Sequence, residues 1–196
     1  MKTQIAVIAP PRSGGTAYAQ LLASQHKVLF VNEPFAPAFK VTPKTFKGTM
    51  LGGGVPAGNW VCHSVVSQHV EHYMTRPLSP KIELVFLERK DKWKQMLSYV
   101  TMMTLLHEHG IHNLDFRTST PIEIRVDAKH VDAICYEWSL FYLLTEGISK
   151  TVYYEDLAFP VDFPMKKNLG YENIRILNLD YLASRFEVAW NYNPLT

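Results

Sequence analysis

The sequence predicts an α/β protein in which helices flank a central, mostly parallel β-sheet. Short apolar runs bounded by turn residues alternate with longer amphipathic stretches, which is the pattern of successive βαβ units. The chain has 196 residues, and 47% of them are hydrophobic, which is enough for one substantial core but short for two ordinary domains. We therefore expect a single domain over residues 1–196.

The predicted strands and helices alternate from the N-terminus onward. Apolar runs rich in β-branched and aromatic residues indicate strands near 4–9, 28–31, 59–63, 82–88 and 150–154. Helical spacing of apolar residues indicates helices near 16–25, 65–75, 91–108 and 128–146. Beyond residue 157 we expect a loop, a short strand in "NIRIL" and a closing helix from Leu179 to about Trp190, with Asn178 as its cap.

Two stretches of the chain lack a regular period. Residues 36–58 contain three prolines and five glycines, and residues 110–126 separate two long helices. Long loops in compact domains often act as lids or substrate contacts, so we expect both stretches to shape a binding pocket. Aromatic residues of the first stretch and its border either line that pocket or pin the loop down: Phe35, Phe39 and Phe46.

Charge and cysteine content exclude several classes of protein. The net charge of +2 argues against a general nucleic-acid binder, and no stretch is long and apolar enough for a signal peptide or a membrane span. Cys62 and Cys135 lie far apart without the spacing of a zinc or redox site. His69 and His72 share a helix face but lack a third ligand. We expect a cytoplasmic protein with reduced thiols and no metal.

The segment "APPRSGGTA", residues 9–17, joins the first strand to the first helix and predicts an anion site. Gly14 and Gly15 let the backbone curl so that successive N–H groups point inward, and the helix adds the positive end of its dipole. Arg12 supplies a forked charge, while Ser13 and Thr16 supply hydroxyls. These groups, with the N–H of Ala17, suit a phosphate or a sulfate. A tight turn with a surface arginine is the alternative.

The same segment departs from the Walker A pattern. That pattern needs a lysine after its second glycine, followed by Ser or Thr as a magnesium ligand, whereas Gly15 is followed by Thr16 and Ala17. A magnesium-dependent nucleoside triphosphatase is therefore disfavoured. A nucleotide or small-molecule kinase with a degenerate loop stays open, with Glu88 as its magnesium carboxylate, and so does a non-catalytic nucleotide-binding module.

"PRSGGT" after a first strand resembles the 5′-phosphosulfate loop of the sulfotransferases, with Gly15 where many members have Thr or Ser. The resemblance implies a three-layer fold of the P-loop-containing, nucleotide-kinase-like type. It also implies transfer of a sulfuryl group from 3′-phosphoadenosine 5′-phosphosulfate (PAPS) to a hydroxyl or amine of a small molecule or carbohydrate. Adenosine 3′,5′-bisphosphate is then the product, and no metal is required. The short chain suggests a minimal acceptor pocket or a homodimer that completes it.

Two later segments extend this resemblance. In "LVFLERKDKWKQMLSYV", Arg89 ends a strand and Ser98 lies in the next helix, similar to the pair that binds the 3′-phosphate in bacterial and carbohydrate-type members. "VYYEDL", residues 152–157, is similar to a strand-end segment of the family. Its acidic residues, Glu155 and Asp156, are assigned no chemistry by this resemblance.

Two residues are candidates for the base that accepts the acceptor's proton. Glu33 in "VNEPF" matches the Glu-Pro of bacterial and carbohydrate-type members, and His63 in "WVCHS" matches the histidine of cytosolic small-molecule members. Both follow strands at their carboxyl ends, where ligands bind in open α/β sheets. We favour Glu33, because the spacing from Arg89 to Ser98 also fits the carbohydrate type. Arg12 is expected to stabilise charge on the leaving phosphate.

Overall fold

The computed structural model describes residues 3–34, 57–75, 81–110, 121–148, 151–160, 163 and 173–191. Within these ranges the chain forms two compact units. The first comprises residues 1–90 and 140–163, and the second comprises residues 91–139 and 164–196. Most of the two irregular stretches lies outside the described residues, namely residues 36–56 of the first and residues 111–120 of the second. Phe35, Phe39 and Phe46 also lie outside the described residues.

The first unit is built on a five-stranded sheet in the order β2-β3-β1-β4-β6, and all its paired strands are parallel. Its strands are β1 (Gln4–Ala9), β2 (Leu29–Asn32), β3 (Trp60–Val65), β4 (Glu83–Glu88) and β6 (Val152–Tyr153). Its helices are α1 (Gly15–His26) and α2 (Val66–Thr75), and a turn of 3-10 helix spans Tyr154–Asp156. The predicted α/β class with a mostly parallel sheet flanked by helices is confirmed.

The central strand β1 is buried on both of its faces, which explains its unbroken run of apolar residues. Ala6 and Ile8 pack with Val66 of α2 and with Phe141, whereas Ile5, Val7 and Ala9 pack with the alanines of α1. Alternate residues of the strand therefore contact opposite helical layers. Among the described residues, no helix combines the length and apolar character that a membrane crossing needs.

The second unit contains α3 (Lys92–His109), β5 (Ile122–Ile124), β7 (Ile174–Ile176), α5 (Leu179–Asn191) and the first part of α4 (Ala128–Thr145). β5 and β7 form a two-stranded parallel sheet. The prediction that residues 110–126 are irregular was wrong for Ile122–Ile124, which form β5. A three-residue strand is too short to show the alternation of apolar and polar residues by which strands are recognised. Its partner also lies far along the chain, with Ile122 beside Ile174. The predicted helices agree with the observed bounds to within one residue at most ends.

Candidate functional site

The direction of the strand connections predicts where a ligand binds in the first unit. After β1, the next strand of this sheet along the chain is β2, at one edge. After β4, the next strand of this sheet is β6, at the other edge. Adjacent strands whose connections leave in opposite directions open a crevice at their carboxyl ends. Residues 10–14, after β1, and Arg89, after β4, therefore border this crevice.

The loop between β1 and α1, residues 10–14, turns sharply through two left-handed residues. Arg12 has φ 64° and Gly14 has φ 86°, a region that costs a non-glycine residue about 1 kcal/mol or more. Ser13 is 1% exposed, and its hydroxyl and its N–H both donate to the carbonyl of Pro10. The hydroxyl predicted to contact an anion thus stabilises the turn in this conformation, and Arg12 is kept in a strained backbone state typical of functional loops.

The first turn of α1 presents backbone donors. The N–H of Tyr18 makes the first bond of the helix to the carbonyl of Gly14, at 3.0 Å. The N–H groups of Gly14, Gly15, Thr16 and Ala17 precede it and so have no acceptor within the helix. Gly14 forms the cap without a side-chain hydrogen bond. A helix start whose cap residue offers no side-chain acceptor, placed beside an arginine, can bind an anion.

Both glycines of the loop are packed tightly by rings. A Cβ atom on Gly14 would lie 2.2 Å from Cδ2 of Tyr154, and one on Gly15 would lie 2.4 Å from Cδ2 and Nε2 of His63. Real Cβ atoms do not approach other atoms this closely, so a larger residue at either position would force the neighbouring ring to shift. A side chain at position 15 would meet the ring of His63, which occupies that space.

His63 belongs to a hydrogen-bonded triangle with Thr16 and Asn32. The Thr16 hydroxyl donates to Oδ1 of Asn32 at 3.3 Å, and Nδ1 of His63 lies 3.3 Å from both of these oxygens. Because an amide oxygen only accepts, both contacts on Asn32 are hydrogen bonds when the imidazole carries its proton on Nδ1. Burial lowers the pKa of His63, opposed by the nearby charge of Glu33, so the ring is neutral at pH 7.

The two candidate bases lie next to each other, with Glu33 directly after β2 and His63 inside β3. The expectation that His63 ends its strand was wrong, because β3 continues to Val65. The N–H of Glu33 donates to the carbonyl of His63 at 2.8 Å, and Oε2 of Glu33 accepts a hydrogen bond from Nε2 of Gln68 at 3.2 Å. Glu33 has φ 45° and is partly exposed, whereas His63 is only 6% exposed. Asn32, which the sequence did not single out, joins them because it pairs with His63 in the strand register.

Arg89 connects β4 to the loop and to the turn after β6. Its Nη1 donates to the carbonyl of Arg12 at 3.4 Å, its Nε lies 3.5 Å from Oε1 of Glu155, and its guanidinium lies 5.8 Å from the ring centre of Tyr154. Arg89 is therefore brought to the predicted anion site. Ser98, the other residue predicted to bind the 3′-phosphate, lies on α3 in the second unit.

The carboxylate suggested for magnesium is engaged elsewhere. Glu88 is 8% exposed, and its Oε1 accepts a hydrogen bond from the Tyr142 hydroxyl at 2.7 Å. Burial, followed by this bond, raises the pKa of Tyr142, which keeps the phenol protonated as donor. Among the described residues, no three His, Cys, Asp or Glu side chains cluster as metal ligands.

No protein-family model, curated protein or solved structure matches this chain. The chemistry open to the site follows from its groups. Backbone N–H donors, two arginines and a partly exposed carboxylate suit the binding of a phosphate or sulfate ester and the transfer of a charged group to a nucleophile that must lose a proton.

Proposed function

We propose that this protein is a sulfotransferase that moves the sulfuryl group of PAPS to a hydroxyl or amine of a small acceptor. The observation that carries the proposal is the start of α1, where the cap residue Gly14 offers no side-chain acceptor and closes a turn that holds Arg12 at positive φ. Arg89 reaches the same turn through the carbonyl of Arg12. The central position of β1 in the sheet supports the finer proposal of a P-loop, nucleotide-kinase-like fold.

In this proposal the first turn of α1 binds the 5′-phosphosulfate through its N–H groups, and Arg12 neutralises the charge that develops on the leaving phosphate. Arg89 binds the 3′-phosphate as a forked donor. The acceptor oxygen attacks sulfur while its proton passes to the base. The new O–S bond forms as the bond between sulfur and the bridging phosphate oxygen breaks, and adenosine 3′,5′-bisphosphate leaves.

Glu33 is the better base by geometry. It is partly exposed at the strand end, while His63 is buried against Gly15 and has Nδ1 occupied by Thr16 and Asn32. We assign His63 the supporting role of holding the α1 start and the β2 end together. Turnover of Glu33→Gln and His63→Ala at saturating donor tests this assignment. The larger loss is expected for Glu33→Gln, and unchanged turnover in that variant would remove Glu33 as the base.

The first experiment is calorimetric titration of the protein, without magnesium, with adenosine 3′,5′-bisphosphate, 5′-AMP and ATP. We expect the bisphosphate to bind more tightly than 5′-AMP, because only it engages Arg89 through a 3′-phosphate. Equal binding of ATP would favour the kinase alternative instead. Arg89→Ala should lower the affinity for the bisphosphate far more than the affinity for 5′-AMP. Equal losses of affinity for the two nucleotides would remove Arg89 from the site.

Arg12→Ala should abolish transfer while the fold is kept. Lys27→Ala is a matched control, because Lys27 ends the same helix and also has a positive φ, 52°. Both variants lose one positive charge from a left-handed residue, but only Arg12 borders the crevice. Unchanged turnover of Arg12→Ala, or equal losses in both variants, would contradict the role of Arg12.

A further inference from the structure

The turn after β6 places a carboxylate against the arginine that the proposed function assigns to the 3′-phosphate. Oε1 of Glu155 lies 3.5 Å from Nε of Arg89, and the two side chains are 32% and 19% exposed. Tyr154, one residue earlier, lies under the same guanidinium at 5.8 Å and against Gly14 of the loop. The Tyr154–Asp156 turn thus contacts both the phosphate loop and its second arginine.

The contact between Glu155 and Arg89 is electrostatic rather than a directed hydrogen bond. In the described part of the chain, Nε of Arg89 is buried without an aligned acceptor, although the carboxylate is within ion-pair distance. Glu155 is held independently, because its Oε2 accepts a hydrogen bond from the N–H of Lys90 at 3.0 Å. The carboxylate is therefore positioned beside Arg89 by a bond that does not involve the arginine.

We propose that Glu155 is a built-in counterion that competes with the bound anion for Arg89 and lowers its affinity. The inference rests on the proposed function, since it takes Arg89 as an anion ligand. A fixed negative charge beside the arginine reduces the attraction between the arginine and a phosphate group. When the anion leaves, the carboxylate of Glu155 remains as the partner of Arg89. Glu155 thereby keeps the product from being held too tightly, and it sets the exchange of donor for product.

Asp156 offers a matched control on the same turn. Its carboxylate pairs with Nζ of Lys90 and not with Arg89. Glu155→Gln and Asp156→Asn each remove one negative charge from adjacent residues, so they change the long-range potential similarly. Only the first removes the charge that contacts Arg89, and its amide oxygen can still accept the hydrogen bond from Lys90.

The test is titration of adenosine 3′,5′-bisphosphate and of inorganic pyrophosphate into the wild type and both variants at one ionic strength. We expect Glu155→Gln to raise the affinity for the bisphosphate about fivefold, which is the effect of a partly exposed ion pair. Asp156→Asn should change this affinity less than about twofold. In an Arg89→Ala background the gain from Glu155→Gln should disappear. Glu155→Ser, which also removes the charge, should reproduce the gain if Glu155→Gln folds poorly.

Equal affinities of the two single variants, weaker binding by Glu155→Gln, or a gain that persists without Arg89 would overturn the inference. Failure of the proposed function is a different result: the wild type would then not prefer the bisphosphate over 5′-AMP. In that case pyrophosphate still compares Glu155→Gln with Asp156→Asn, so the counterion role is tested separately.

Discussion

Substitution of Gly15 by alanine tests how the phosphate loop is packed. The added Cβ would lie 2.4 Å from Cδ2 and Nε2 of His63 and 3.1 Å from Cβ of Ala9. Neither neighbour can move easily. Ala9 is fully buried on the central strand, and the His63 ring is held through Nδ1 by Thr16 and Asn32.

The expected cost follows from overpacking a buried site, about 1–3 kcal/mol. Alanine recovers less than about 1 kcal/mol of helix propensity, because Gly15 is only the first residue of α1. We therefore expect the free energy of unfolding to fall by about 1–2 kcal/mol, with a decrease in Tm of about 2–4 °C for each kcal/mol. Gly15→Ser, which adds a hydroxyl to the same Cβ atom, should cost at least as much.

A double-mutant cycle of Gly15→Ala and His63→Ala, measured by urea unfolding, isolates the contact between position 15 and the His63 ring. In a His63→Ala background the ring is absent, so Gly15→Ala should become neutral or stabilising, with a coupling energy of about 1 kcal/mol or more. Gly58→Ala is the control, because Gly58 has φ 110° and a Cβ atom added there would meet no described atom within 4 Å. Its cost should be the same with and without His63. Additive effects of Gly15→Ala and His63→Ala would refute the packing explanation.

Three further predictions concern buried or partly buried polar groups. Tyr142→Phe removes the donor to Glu88, so it should lower the free energy of unfolding by about 1–3 kcal/mol in urea titrations; a smaller effect than at an exposed tyrosine would contradict this. Burial lowers the pKa of His63 and His130 from 6.5, so the unfolded chain binds more protons below that pH. Stability should be complete above about pH 6.5 and decrease as the pH falls below it, and an unchanged slope in a variant lacking both histidines would reject that cause. Burial raises the pKa of Cys62 to about 12, so iodoacetamide should modify it only after unfolding, as mass spectrometry of native and urea-treated protein can check.

The sequence alone determined the local elements. The apolar run of β1 was predicted with its observed bounds, because a strand buried on both faces has no polar positions to interrupt it. The α4 helix was predicted to within one residue at its end from its apolar spacing. Arg12, Glu33 and Arg89 could be selected as candidates because each follows a strand, and the carboxyl ends of parallel strands meet at one edge. His63 was selected on the expectation that it ends its strand, whereas β3 continues to Val65.

Only the tertiary structure decided which side chains meet. Asn32 joins His63 through the register of β2 with β3, Tyr154 covers Gly14, and Glu155 faces Arg89. These contacts join residues that are far apart along the chain, so no local pattern encodes them. They depend on strand register and ring packing, which form when the whole sheet closes. For the same reason the sequence predicted an anion site but did not predict that His63 packs against Gly15 or that Glu155 lies beside Arg89.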